Sequence, residues 1–215
     1  MQELDQINKY LGGHNITLKG LQVILRTIPD TKPIHIVEVG SGGGDNLRVI
    51  QKWAQKKGKH VHLTGIDINP ECVKYAQRTS ANAGVQFLHA DYKQAHFPVK
   101  PHVIFSSLFC HHFAEEELVY MLQWMQQNAQ VGFFINDLHR HAVAYYSIKA
   151  ITQVFSRSYL VKNDAPLSVQ RGFRKAEWEH LFSKAGISNF TCHWQWAFRW
   201  LVTYCHANEH NRGRI

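Results

Sequence analysis

Nine residues limit the fold more than any others: Val37-Glu38-Val39-Gly40-Ser41-Gly42-Gly43-Gly44-Asp45. The apolar, β-branched run Ile34-His35-Ile36-Val37 precedes them, and residues 46–53, with apolar positions at helical spacing, follow. The stretch therefore reads as strand, glycine turn, helix. Glycine is needed there because a Cβ would hold a ligand off the backbone, and some of these positions call for positive φ. The helix after the turn aims unpaired N–H groups and the positive end of its dipole at whatever lies over the turn. A chain with this opening builds a sheet around a bound ligand.

The rest of the chain repeats the alternation. Residues 3–11 and 16–28 carry helical spacing, with a break at Gly12-Gly13-His14-Asn15 and Asn15 as cap of the second helix. These two helices serve either as simple packing or as a lid hinged at Gly12-Gly13. A second strand spans 60–68 and a helix 70–82, with Pro70 in its first turn. Strands follow at 85–89, 103–107 and 131–135, and an acid-led helix at 115–128. Strands alternating with helices predict a parallel sheet covered on both faces. Beyond Asp137 come a helix over 142–156, an irregular stretch over 158–173 containing Pro166, and a helix over 174–184. From Trp194 the even positions are Trp194, Trp196, Phe198, Trp200, Val202 and Tyr204, and the odd ones include His193, Gln195 and Arg199. That period of two predicts a late antiparallel strand pair with one aromatic, packed face. The polar tail 207–215 is expected to be flexible.

Composition excludes several classes. No apolar run is long enough to span a membrane, and the first residues lack the basic and apolar regions of a secretory signal. Cys72, Cys110, Cys192 and Cys205 have no CxxC spacing, so a reduced, cytoplasmic setting is expected. The formal charge of +8 is scattered, which favours a solvated basic surface over a nucleic-acid footprint.

Charge also selects the ligand. Gly40 and Gly42 fit a dinucleotide fingerprint, but its third glycine position is Asp45, whose carboxylate would repel a pyrophosphate. It would not repel a cationic ligand. Glu38 followed by Gly40-x-Gly42-x-Gly44 resembles the glycine motif of the class I S-adenosylmethionine-dependent methyltransferases. Three further segments resemble that family in order and spacing: Asp67-Ile68 closing the second strand 27 residues after Gly40, Ala90-Asp91-Tyr92 after the third strand, and Ser106-Ser107-Leu108 with His111-His112 after the fourth.

The resemblance implies a single α/β domain: a Rossmann-like, seven-stranded, mostly parallel sheet with an antiparallel edge strand and helices on both faces. Residues 34–137 form its cofactor-binding core and 138–206 its substrate loops and last strands. It implies S-adenosylmethionine as cofactor, with Glu38, Gly40, Ser41, Gly42 and Gly44 at the methionine end, Asp67 on the ribose, Ile68, Asp91 and Tyr92 at the adenine and Ser107 near the methyl. The segment after the fourth strand lacks the proline pair of base-amine methylases. The chain looks more like small-molecule enzymes of the ubiquinone/menaquinone type, with an apolar or phenolic acceptor methylated on oxygen or carbon. RNA methylation or binding and a nicotinamide-dependent oxidoreductase are the competing readings. His111, His112 and His139 are the candidate general bases, because a hydroxyl acceptor has a proton to lose. Adjacent His111 and His112 on an extended strand would point apart, and no metal site is expected.

Overall fold

The computed structural model describes Asn8 and residues 11–26, 33–155 and 159–207. Most of the helix expected over 3–11 and the tail beyond Ala207 lie outside the described residues. Among the described residues, seven helices and seven strands follow in the order α1 (Gly13–Leu25), β1 (Ile34–Val39), α2 (Asp45–Lys56), β2 (Val61–Asp67), α3 (Pro70–Arg78), β3 (Val85–His89), β4 (Val103–Ser107), α4 (Glu115–Asn128), β5 (Gly132–Leu138), α5 (Ala142–Phe155), α6 (Tyr159–Arg171), α7 (Lys175–Lys184), β6 (Phe190–Gln195) and β7 (Arg199–Cys205).

The strands form one sheet in the order β3-β2-β1-β4-β5-β7-β6. The first five pair in parallel, and β7 runs antiparallel to both β5 and β6. The reversal therefore sits one strand in from the edge. Strand order switches direction between β1 and β4, the place where open α/β sheets leave a crevice beyond the strand ends.

Alternation along each strand divides the core into two layers. On one face Ile34 and Ile36 of β1, Phe134 of β5 and Leu201 of β7 pack against Ile16, Leu21 and Ile24 of α1 and Leu47 and Ile50 of α2. On the other, Val37, Val39, Phe133, Ile135 and Val202 pack against Leu122 and Met125 of α4 and Trp178 and Phe182 of α7. The helix α1 lies close on the sheet because Gly20 has no side chain: a Cβ there would stand 2.5 Å from the Phe134 ring. Within its described span, α1 is a packing helix.

Four local expectations change. The helix begins after Gly12, which has φ 74° and occupies the cap position, so Gly13, His14 and Asn15 are helical and Asn15 is no cap. The helix expected over 70–82 stops at Arg78, with a separate short turn over Ser80–Asn82. The stretch expected to be irregular is α6, which runs through Pro166. Proline costs a ladder hydrogen bond there, but α6 gains an apolar partner in α5, where Ala144 and Ile148 pack with Val169. The strand β7 is buried on both faces, because α1 covers the odd positions that the period of two left to solvent. The partner strand β6 forms the edge, and Trp194 and Trp196, expected on the packed face, are 46% and 71% exposed because no element covers the end of that edge strand among the described residues.

A histidine cluster at the start of β1 has a measurable consequence. The ring of His35 lies 4.6 Å from that of His62, its Nε2 is 3.1 Å from Thr64 Oγ1, and its backbone N–H donates to His102 Nδ1. Burial, then the charges of His62 and His102, push His35 down to about 4 from 6.5. Between those values the unfolded chain binds the proton and the folded chain does not, so stability falls as pH drops through that window. Thermal melts at about pH 7 and about pH 5 are expected to show a smaller acid-induced fall in Tm for His35→Asn than for the wild type.

Candidate active site

The glycine turn leaves β1 and enters α2 through three positive-φ residues, Gly40 (72°), Gly42 (50°) and Gly44 (75°). A Cβ at Gly42 would meet nothing within 4 Å, whereas one at Gly40 would strike the Phe109 ring. The turn is thus open at Gly42 and covered at Gly40. The Asp67 carboxylate anchors it: Oδ2 accepts from the Gly42 N–H at 2.8 Å and Oδ1 from the Asn69 N–H at 2.8 Å. Each oxygen keeps a lone pair for a further donor.

Between this turn and the ends of β2 and β3 lies a cavity of about 120 Å³. Its lining includes Gly40, Asp67, Ile68, Asp91 and Tyr92 of the expected cofactor set, and also Phe109, Phe113 and Glu117. Ile68 is 65% exposed, free to lie against a ligand. The Asp91 carboxylate also accepts from the Lys93 N–H. The Tyr92 ring packs edge-on against Trp124, and its buried hydroxyl has no partner among the described residues.

Glu38, Ser41 and Ser107 sit outside that cavity and are buried. Period two puts Glu38 on the α1 side of the sheet with Ile34 and Ile36. Its Oε1 accepts from Asn46 Nδ2 at 2.8 Å, and its Oε2 is buried without a partner among the described residues. Burial, then the Asp45 charge, push the Glu38 carboxyl well above its ordinary value. Asp45 is not the open acid that its place in the turn suggested: His14 of α1 pairs with it at 3.1 Å. Burial pushes Asp45 up, but the hydrogen bond and charge of His14 outweigh it and hold the carboxyl low. A polar chain continues from Asn46 through Thr17 Oγ1 to Asn136 Nδ2 and Ser107 Oγ. Thr17 and Asn46 carry no sequence signal, since each is a polar residue on an otherwise ordinary helix.

The histidines separate. Cys110–His112 forms a 3-10 turn, so His111 and His112 do not point apart; their rings lie 4.2 Å from each other. Leu108, with φ 54°, turns the chain there. The turn brings the Phe109 and Cys110 N–H groups onto Asp137 Oδ2, at 3.2 and 2.7 Å, while His111 Nδ1 lies 2.7 Å from Asp137 Oδ1. Both side chains of this pair are buried. Burial pushes Asp137 up, but His111 and the Leu138 and Cys110 N–H groups bring it below its usual value. With Nδ1 held by a carboxylate, Nε2 is the basic nitrogen of His111. His112 is pulled down by burial and by His111. His139 lies apart from this pair, against Trp200 at 4.9 Å and His141 at 5.4 Å, and burial also lowers it. Cys110 is fully buried and its thiol is pushed far up, which suits a packing role.

Residues 36–132 match the family model described as a methyltransferase domain. No curated protein matches the sequence significantly. Among solved structures, the plantazolicin methyltransferase in complex with SAH superposes with a TM-score of 0.64 at 18% identity, covering 89% of this chain and 71% of that one. Magnesium protoporphyrin IX methyltransferase from Synechocystis PCC 6803, with bound SAH, gives a TM-score of 0.58 at 14% identity over 94% and 87%. Human N-acetylserotonin methyltransferase in complex with SAM gives 0.63 at 15% over 94% of this chain and 53% of that one. Residues 36–132 thus match a methyltransferase domain, and the sheet order and glycine turn belong to a chain that shares the fold of these methyltransferases.

Proposed function

We propose that the protein methylates a small acceptor with an apolar or phenolic body, on oxygen or carbon, and that His111 is its general base. Bound S-adenosylmethionine supplies a methyl group on a cationic sulfonium. The residues present fit that group. Glu38 is a buried acid with a free oxygen beside an open glycine turn, and a cationic amino-acid end offers the counter-charge that such an acid requires. Asp67 has acceptor capacity left for two ribose hydroxyls. Ile68, Asp91 and Tyr92 would surround the adenine, Ser41, Gly42 and Gly44 would border the amino-acid end, and Ser107 would border the methyl.

The observation that carries the acceptor side is the buried Asp137–His111 pair. Asp137 fixes the ring and its tautomer and stabilises the imidazolium, as a carboxylate does for the histidine of a hydrolase triad. His111 would then take the acceptor's hydroxyl proton as the oxygen attacks. His112 and His139, lowered by burial and without a carboxylate partner among the described residues, suit packing or acceptor contact better. Small-molecule acceptors in the names of the similar structures, plantazolicin, magnesium protoporphyrin IX and N-acetylserotonin, support the substrate class.

Thermal shift with S-adenosylmethionine and with NAD(H) tests the cofactor side. A saturable rise in Tm with the first and none with the second is expected; stabilisation by NAD(H) alone overturns the reading. Labelled methyl transfer to phenolic extracts, compared with total RNA, tests the acceptor class, and transfer to RNA alone overturns it.

A further inference from the structure

Arg199 opens β7 opposite Leu138, the last residue of β5, and is 2% exposed. Its Nε and Nη1 are buried with no hydrogen-bond partner, and no ion pair to it is found among the described residues. The nearby carboxylate, Asp137, is fully engaged by His111 and by the Phe109, Cys110 and Leu138 N–H groups. Asp137 also belongs to the opposite face of the sheet. Leu201, two residues along from Arg199, packs on the α1 side, whereas Ile135, two residues before Asp137, packs on the α4 side.

A guanidinium cannot shed its charge at neutral pH, and burying it alone costs several kcal/mol. A chain that keeps one at the C-terminal end of the sheet has a use for it there, because ligands of α/β sheets sit beyond those ends. The planar fork of arginine matches carboxylate and phosphate oxygens. Leu138, which pairs with Arg199 across the sheet, and Phe198, which precedes it, pack with Leu11, Tyr145 and the cluster of Ala144, Ile148 and Val169. Between β4 and β7 lies one strand, so at a spacing of about 4.8 Å per strand Arg199 stands roughly 10 Å across the sheet from the end of β4.

We propose that Arg199 holds an oxyanion of the methyl acceptor, a carboxylate or phosphate set apart from the methylated atom, on an otherwise apolar body. This deepens the small-molecule methyltransferase reading and rests on it. The acceptor is then an anionic amphiphile, and Arg199 selects it against its neutral analogues. The reacting group lies on the far side of the acceptor from the anchor.

The test uses the full chain with saturating SAH and three probe sets at matched concentration: aromatic carboxylates, aryl phosphates and the corresponding neutral carboxamides. The wild type is expected to be stabilised by at least one of the two anionic sets and not by the carboxamides; which set acts identifies the oxyanion. In Arg199→Met that preference is expected to fall at least tenfold, and in Arg199→Lys to fall less, while the shift given by SAH itself stays unchanged. A second readout needs no probe. Without ligand, Arg199→Met is expected to raise Tm by about 2–4 °C, because it replaces an unpaired buried charge by an apolar chain of similar length. Equal binding of anionic and neutral probes, or an Arg199→Met protein that melts lower or fails to fold, overturns the proposal. A wild type that SAH does not stabilise overturns the methyltransferase reading itself, and so is told apart.

Discussion

His111→Gln is expected to lower turnover by roughly 100-fold or more, the usual contribution of a positioned base, with S-adenosylmethionine affinity unchanged. The ring lies beside the end of β4 and has one nitrogen bound to Asp137. Removing it takes away the proton acceptor but no residue of the glycine turn. Steady-state kinetics with a hydroxyl acceptor, together with cofactor titration, read the two effects separately. Equal losses in turnover and cofactor affinity would place His111 in the cofactor cradle instead. The partner variant behaves differently. Asp137→Ala strips His111 and three backbone N–H groups of their acceptor at once. Breaking a buried pair of this kind costs about 3–5 kcal/mol, which in a chain of this size is a fall in Tm of about 10 °C. The sign with pH follows from the lowered carboxyl: its stabilisation is present above the unfolded value of 3.8 and is lost as pH falls through the lower folded value.

Asp67→Ala is expected to weaken S-adenosylmethionine binding by roughly 10- to 100-fold, the loss of about 1.5–3 kcal/mol of charge-assisted hydrogen bonding. Two effects add. The variant loses the acceptor for the ribose hydroxyls, and it frees the Gly42 and Asn69 N–H groups that Asp67 now fixes. Asp67→Asn separates them, since a carboxamide oxygen keeps one acceptor without the charge. Calorimetric titration of both variants is expected to rank wild type above Asn above Ala. Unchanged affinity in Asp67→Ala would show that the ribose lies elsewhere.

The cofactor half of the candidate site could be proposed from the sequence because its determinants are local. The turn from Gly40 to Gly44 and the acids at Glu38, Asp67 and Asp91 sit at fixed offsets from strand ends, and strand ends are visible as changes in hydrophobic period. Charge identity at Glu38 and Asp45 turned the choice of ligand away from a pyrophosphate, although the structure divides their work: Asp45 is paired with His14, and Glu38 is the acid with an open oxygen. The acceptor half was not legible in the same way. His111 and Asp137 are 26 residues apart in the chain, and only the parallel pairing of β4 with β5 brings the turn after Ser107 against the end of β5. Pro166 reads as a breaker, yet α6 continues through it because α5 offers an apolar face.

By itself, then, the sequence determined the layer architecture, the glycine cradle and the class of group proposed for it, all set by short-range periodicity, spacing and charge. Only the tertiary structure decided which of three histidines has a carboxylate behind it, and that Arg199 is buried. In the sequence Arg199 alternates with tryptophans as a residue of the polar face; in the fold β7 is an inner strand and α1 covers that face. Burial depends on what packs above a strand, and that is fixed by chain segments far away along the sequence.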